Sequence, residues 1–283
     1  MQLKQHVDDI KAGRALVHFS GWPDAGEMIQ FTLSELRNMV PLQPLAEWIL
    51  EDHWHIDSLR PIVHVHHGQV KSLEWPSFRF SWGRCGEAEP FVLGSGPEPS
   101  RNWAAFTDDL LTILTRWGCR EIVLLGSLYD QIFHDEVILS AVVQDARGYN
   151  QLRELGCRPA DYVGPSSIHS AVLEAVRDTE VRCISIWTHL PLYLQGPHEM
   201  TSARCLQIIG ALLGFPLDPV HLRERWERRE GEIEELIHGN DELRRAIEVM
   251  KNERHRRKTG SGTNVLRIDD FMKRKHDPRP QGE

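Results

Sequence analysis

Apolar and polar positions fall into short blocks along this chain. Residues 14–19 (RALVHF) predict a buried strand, closed by a turn rich in Gly and Pro, SGWPDAG. Asp24 in that turn is placed to cap the following helix, whose Met28, Ile29, Phe31, Leu33 and Leu36 form an apolar face. Residues 43–51 predict a second short helix, and 62–70 and 77–82 predict strands of alternating character at an antiparallel edge. A strand over 90–94 leads through SGPEPS into a helix over 101–117, with Ser100 as its cap. EIVLLGS (121–127) is the clearest buried strand, and 137–144 and 181–188 are two more. Further helices are predicted over 149–155, 166–178 and 198–214, the second capped by Ser166 or Ser167 and the third ended by Gly214 and Pro216. This alternation of strand and helix predicts an α/β fold, a mostly parallel sheet with helices on both faces.

The pattern changes at Val220. Alternating charges now dominate, with a sparse apolar stripe of Leu222, Trp226, Ile233, Leu236, Ile237, Leu243 and Ile247. Two helices broken at Gly239-Asn240 fit it, as a solvated pair held to the domain by the stripe or as an oligomer or partner surface. The expected organisation is a core domain over 12–216, a charged helical extension over 217–256 and a disordered tail over 257–283. In the tail, KTGSGTN is a linker, and VLRIDDFMKRKHD is an amphipathic island of the kind that can fold onto a partner.

Charge and composition narrow the function classes. The formal net charge of −8 argues against nucleic-acid binding, which needs a basic footprint. The five cysteines, Cys85, Cys119, Cys157, Cys183 and Cys205, are scattered, which argues against a disulfide framework or a zinc ribbon. The N-terminal residues lack the apolar run of a signal peptide, and no segment reaches membrane-span length. A soluble cytoplasmic protein is expected.

Candidate chemistry is sparse. The loop after residue 94 begins GSG before a helix, but Pro97 and Pro99 remove backbone donors, and neither GxxxxGK[ST] nor GxGxxG occurs, so a structural turn is expected there. His64 and His66 project from one face of a strand, and His53 and His55 repeat the spacing, but no HExxH or CxxC accompanies them. A His-rich exposed edge is expected, with no metal site and no cofactor. GxSxG is absent, and Ser95 and Ser127 follow strands without the nucleophile-elbow pattern. Asp130, His134, Asp135 and Glu136 form a polar cluster after a strand, at the carboxyl edge where open α/β sheets bind ligands. Trp187, His189, Pro191 and Tyr193 lie at the same edge.

Several segments, taken in order, resemble the proteasome assembly chaperone family in its prokaryotic branch. GWPDAG (21–26) is similar to the family's Gly-Trp-Asn-Asp-Ala-Gly turn, and VLGSGPEPSRNWAAF (92–106) to its Gly-x-Glu-Pro-Ser-x-x-Trp stretch. DSLRP (57–61), EWPSFRF (74–80), IVLLGSL (122–128), YVGPSSIHSAVL (162–173) and ISIWTHLPLY (184–193) fall in the family's order, and Trp226 resembles the start of its C-terminal helix. The resemblance spans roughly residues 12–250. It implies a three-layer α/β/α fold of the nucleoside-phosphorylase kind and homo-oligomers. Some members assist proteasome assembly, and some carry an older label relating them to ATP-grasp ligases. Two departures stand out. Phe133-His134-Asp135-Glu136-Val137 replaces the Pro-His-Thr-Arg-Pro run of many relatives, keeping only the His. The final residues, Arg279-Pro280-Gln281-Gly282-Glu283, are not the hydrophobic-Tyr-any motif that docks into proteasome rings, so docking of that kind is not expected.

The expected activity is therefore non-enzymatic binding or assembly by a homo-oligomer, with a protein partner engaged through the C-terminal helices or tail. The alternative is a small-molecule-binding protein or enzyme at the carboxyl edge. Asp24, Glu98, His134 and Trp187 are candidate binding residues by position, joined by Trp22, Gly26, Trp103 and Tyr193 from the same segments.

Overall fold

The apolar run Ile122–Leu125 is fully buried at the middle of a nine-stranded sheet. The computed structural model describes residues 2–5, 10–55 and 57–259. The amphipathic island and most of the expected tail lie outside the described residues. In chain order the elements are β1 (Gln2–Gln5), β2 (Arg14–Ser20), α1 (Met28–Met39), β3 (Leu42–Ile49), β4 (Ile62–His66), β5 (Gln69–Glu74), β6 (Ser77–Gly83), β7 (Phe91–Pro97) and α2 (Trp103–Arg116). They continue with β8 (Glu121–Asp130), β9 (Leu139–Val143), α3 (Ala146–Glu154), β10 (Arg158–Pro159), α4 (Ile168–Ala175), β11 (Arg182–Pro191), α5 (Glu199–Leu213), α6 (Val220–Gly239) and α7 (Asp241–Thr259).

The sheet order is β1-β3-β6-β7-β2-β8-β11-β9-β10. The four central strands β7, β2, β8 and β11 are parallel, while β6, β3 and β1 continue antiparallel on one flank and β9 joins β11 antiparallel on the other. Parallel strands buried on both faces read as continuous apolar runs, which is why β2 and β8 stood out in the sequence. Alternate residues divide two cores. Leu16, Val123, Leu125 and Ile184 pack with α1, α5 and the start of α6. Ala15, Val17, Phe19, Ile122 and Leu124 pack with α2 and α4 on the other face. The result is the three-layer α/β/α sandwich.

Local expectations differ from the structure in four places. Residues 43–51 are not a helix: Leu42–Ile49 is β3, paired with β6, and only Glu51–His53 makes a short helical turn. Ala46, Trp48 and Leu50 are buried at period two, which is the strand spacing. Residues 62–70 are not one strand but β4, a His67-Gly68 turn and the start of β5; both turn residues have positive φ, as two-residue hairpin turns require. β6 lies inside the large sheet rather than at its edge. Ser100 does not cap α2, which begins after Asn102; its Oγ instead accepts the His55 amide at 2.8 Å, tying the loop before the hairpin to the loop after β7.

Of the extension's stripe, Leu222, Trp226 and Ile247 are buried and Leu236 is 67% exposed. No described helix is long and apolar enough to cross a membrane. The five cysteines are free, four of them buried.

Candidate site at the carboxyl edge of the sheet

β2, β7, β8 and β11 all end at one edge, and their last residues and following loops meet there. The first cluster is built on the single polar side chain within the buried stretch of β2, His18, which is 2% exposed. Its Nε2 lies 2.9 Å from Asp24 Oδ2 and its Nδ1 3.0 Å from Ser95 Oγ on β7. A carboxylate only accepts, so Nε2 carries a proton toward Asp24, while Nδ1 and the Ser95 hydroxyl share the other bond. Asp24 also accepts the Ile29 amide (2.7 Å), the Gln30 amide (3.2 Å) and the Ser127 hydroxyl (3.0 Å). The expected cap is therefore real, although α1 starts four residues later. Burial alone would raise the Asp24 carboxyl; the bond and charge of His18 and the two amides outweigh it and hold it below the ordinary value. Ser127 shares its proton with Ala25 O at 2.9 Å, and its amide donates to Pro23 O at 2.8 Å. The turn is thus stitched to β8 by side chain and backbone.

Gly26 sits in this turn at φ 62°. A Cβ there would meet Leu190 Cδ1 at 3.0 Å and the Tyr129 hydroxyl at 3.2 Å. Gly26→Ala is therefore expected to cost about 1–3 kcal/mol, read by urea denaturation, because both the left-handed backbone and the close approach oppose a side chain.

Glu98 follows β7. Its amide donates to Ser20 O, and its Oε1 accepts the Ile168 amide at 2.8 Å, at the start of α4. Burial raises its pKa above the ordinary carboxylate value, against the pull of that amide. One residue into α4, His169 is 1% exposed, with Nδ1 2.9 Å from Ser185 Oγ and its ring 4.8 Å from Trp187. Its Nε2 has no partner among the described residues, and burial pushes its pKa down to about 3.

The second cluster lies beyond β8 and β11. The Tyr193 oxygen is 2.8 Å from both the amide and Nδ1 of His134, and His134 Nε2 faces Glu234 of α6 at 3.3 Å. Burial, with nearby carboxylates, raises Tyr193 to about 12. His198 donates from Nε2 to His134 O at 2.9 Å, accepts the Thr201 amide at Nδ1 and stacks on Trp226 of α6 at 3.7 Å. His189 joins Asp130 and Ser140, each at 2.8 Å. Glu136 pairs with Arg254 of α7, and Lys251 and Arg254 lie over the Phe133 ring. The helical extension therefore folds back onto the 132–136 loop. An Arg from α7 thus reaches that loop.

The expected residues thus separate. Asp24 and Gly26 join the first cluster, and His134 and Tyr193 the second, with Trp187 against His169. Trp22 is 53% exposed at the rim, and Trp103 is turned onto its own loop, its Nε1 donating to Pro99 O at 2.7 Å. His18, His169 and His198 were not singled out in the sequence; His18's signal was a lone polar residue in an apolar strand. Among the described residues no three His, Cys, Asp or Glu are grouped to hold a metal ion, and His64 and His66 are exposed.

Comparison with known proteins places this architecture. The model of the PAC2 family matches residues 18–237. A proteasome-assembly chaperone homologue from Mycobacterium tuberculosis is 26% identical, with 82% of this chain and 98% of that one covered and a TM-score of 0.73. A Corynebacterium glutamicum protein of unknown function is 18% identical, covering 91% and 98%, with a TM-score of 0.76. PbaB of Pyrococcus furiosus, an archaeal proteasome activator, is 14% identical, covering 83% and 98%, with a TM-score of 0.63. No curated protein matches.

Proposed function

The chain belongs to the PAC2 family, and from that premise we propose that it is a cytoplasmic, non-enzymatic, assembly-chaperone-like protein that acts as a homo-oligomer on other protein chains. One observation carries the reading. The polar groups at the carboxyl edge are engaged with one another and with the extension: Asp24 with four donors, His134 with Tyr193 and Glu234, Glu136 with Arg254. Groups held this way fix a surface and leave little to bind a small substrate. The Mycobacterium relative's description as a proteasome-assembly chaperone homologue supports proteasome subunits as the class of partner. The test is capture from native lysate with the tagged full-length chain, read by mass spectrometry. Proteasome or other protease subunits enriched over an untagged control are expected, with reduced recovery by a chain ending at Lys251, which lacks Arg254. No enrichment of such subunits would end this reading.

A second reading, an enzyme of the carboxyl edge, has one observation in its favour. Ser95, His18 and Asp24 stand in line, hydroxyl to imidazole to carboxylate, the order of a serine-hydrolase triad but with Nδ1 toward the serine and Nε2 toward the acid. A fluorophosphonate probe separates the readings. Labelling that disappears in Ser95→Ala would establish a nucleophile, and a chain that stays unlabelled leaves Ser95 as a strand fastener, the outcome expected here.

A further inference from the structure

Leu236 belongs to the apolar stripe of the extension, yet it is 67% exposed. It lies in a groove of about 580 Å³ at the junction of α6 and α7, lined by Glu232, Glu235, Leu236, Gly239, Asn240 and Leu243. These six recur at helical spacing, so they form one face that runs across the break at Asn240. A Cβ added at Gly239 would meet nothing within 4 Å, which leaves the groove open at its middle. The two leucines are its apolar floor and the two carboxylates its rim. Residues 230–238, EGEIEELIH, carry four glutamates and neither Lys nor Arg. Glu234 is turned to His134 and His238, while Glu232 and Glu235 face the groove. An apolar floor with an acidic rim is complementary to an amphipathic segment that is basic beside its apolar face.

We propose that this groove is occupied by the chain's own segment 265–276, VLRIDDFMKRKH, docked as a helix antiparallel to α7. The segment lies outside the described residues, and its sequence carries the complement. Val265, Ile268 and Met272 recur at i, i+3 and i+7, with Phe271 beside them. Arg267, Lys273, Arg274 and Lys275 outnumber Asp269 and Asp270. The length of chain also fits. Leu243 precedes Thr259, the last residue of α7, by about 24 Å of helix. Residues 260–264 let Val265 reach up to about 20 Å back from Thr259, and the segment as a helix adds about 16 Å. Gly260, Ser261 and Gly262 are the residue types of a chain reversal. The tether provides affinity, because a short linker holds its ligand at an effective concentration near the millimolar range. The same face of a second copy is excluded by charge, since acid would meet acid. The contact is internal and does not depend on the homo-oligomer proposed above.

Disulfide trapping in the full-length chain tests it, in a Cys85→Ser background that leaves only buried native thiols. Mild oxidation is expected to join Leu236→Cys to Met272→Cys within one chain about tenfold faster than it joins His238→Cys to Met272→Cys. Positions 236 and 238 are both exposed and lie at similar reach from the tail, but they differ by about 200° around α6. Hydrogen exchange gives a second readout without cysteines. Amides of 265–276 are expected to exchange about threefold more slowly in the wild type than in a Glu232→Lys, Glu235→Lys chain. That variant should keep the wild-type melting curve, because both positions are exposed. Equal trapping at 236 and 238 would overturn the proposal. Linkage found only between chains would give the groove to the tail of a second copy, and would overturn the internal contact. Exchange unchanged by the charge reversal would remove the segment from this groove.

Discussion

Replacing Asp24 with alanine is expected to destabilise the protein by about 3–5 kcal/mol, the range for breaking a buried, hydrogen-bonded charge. The carboxylate accepts from His18, Ser127 and the Ile29 and Gln30 amides. Truncation strands four donors at once, in a place where water enters poorly. Asp24→Asn separates charge from shape. Its oxygen can still serve Ile29 and Ser127, but its NH2 faces the His18 N–H and the Gln30 amide, so a smaller cost of about 1–3 kcal/mol is expected. The pH dependence follows from the sign of the shift. The native carboxyl titrates below its ordinary value. Its contribution is therefore complete above the unfolded pKa near 4 and is lost as the pH falls through the lower native value. Urea midpoints at several pH values for wild type, Asp24→Asn and Asp24→Ala check this. An alanine variant within 1 kcal/mol of wild type at pH 7 would remove Asp24 from its role as the fastener of the turn.

How much of this was legible in the sequence depended on the reach of the interaction. Asp24 was readable as a cap because Ile29 and Gln30 lie a few residues away, within local pattern. His18 is as near in sequence, six residues away, but the groups that complete the network are distant. Ser127 comes from a strand 103 residues on, and His18 meets Ser95 across 77 residues. Nothing in either segment signals the other, so the strands were found and the network joining them was not. The error at 43–51 was one of period: Ala46, Trp48 and Leu50 alternate, and the local stretch is too short to separate that from one face of a helix. The hairpin was missed because His-Gly is not the Asn-Gly or Asp-Gly pair that marks such turns. In the extension, the stripe residues Leu222 and Trp226 were visible as apolar spacing. The partners of Glu234 and Arg254 were not, because the return of α7 to the 132–136 loop is a property of the packed molecule.

Lowering the pH from 7 to 5 is expected to remove about 3–4 kcal/mol of stability, through two histidines buried in the neutral form. Burial pushes His169 to about 3 and His198 to about 4. His169 is enclosed by Phe19, Trp187 and Ser185. Burial holds His198 neutral against the pull of its Nε2–H bond to His134 O, and Nδ1, which accepts the Thr201 amide, is unprotonated. A native pKa below the unfolded 6.5 means that the unfolded chain takes up protons first. Stability from these rings is therefore complete above pH 6.5 and falls below it. Each ring loses close to 2 kcal/mol by pH 5, since one pH unit corresponds to about 1.4 kcal/mol per proton once the unfolded ring is charged. Against a total of about 5–15 kcal/mol the loss is large. It sets in well above the range where Asp24 and Asp130, both held below their ordinary values, begin to protonate. His198→Gln keeps a side chain able to donate to His134 O and accept the Thr201 amide, and it is expected to halve the slope of stability against pH between 6.5 and 5 even where it lowers stability overall. His169→Gln should halve it independently, because the two rings lie in different cores, on α4 and before α5. A slope unchanged in both variants would mean that neither ring stays neutral in the folded protein, and would return the acid response to the carboxylates and to His53, whose pKa burial also lowers.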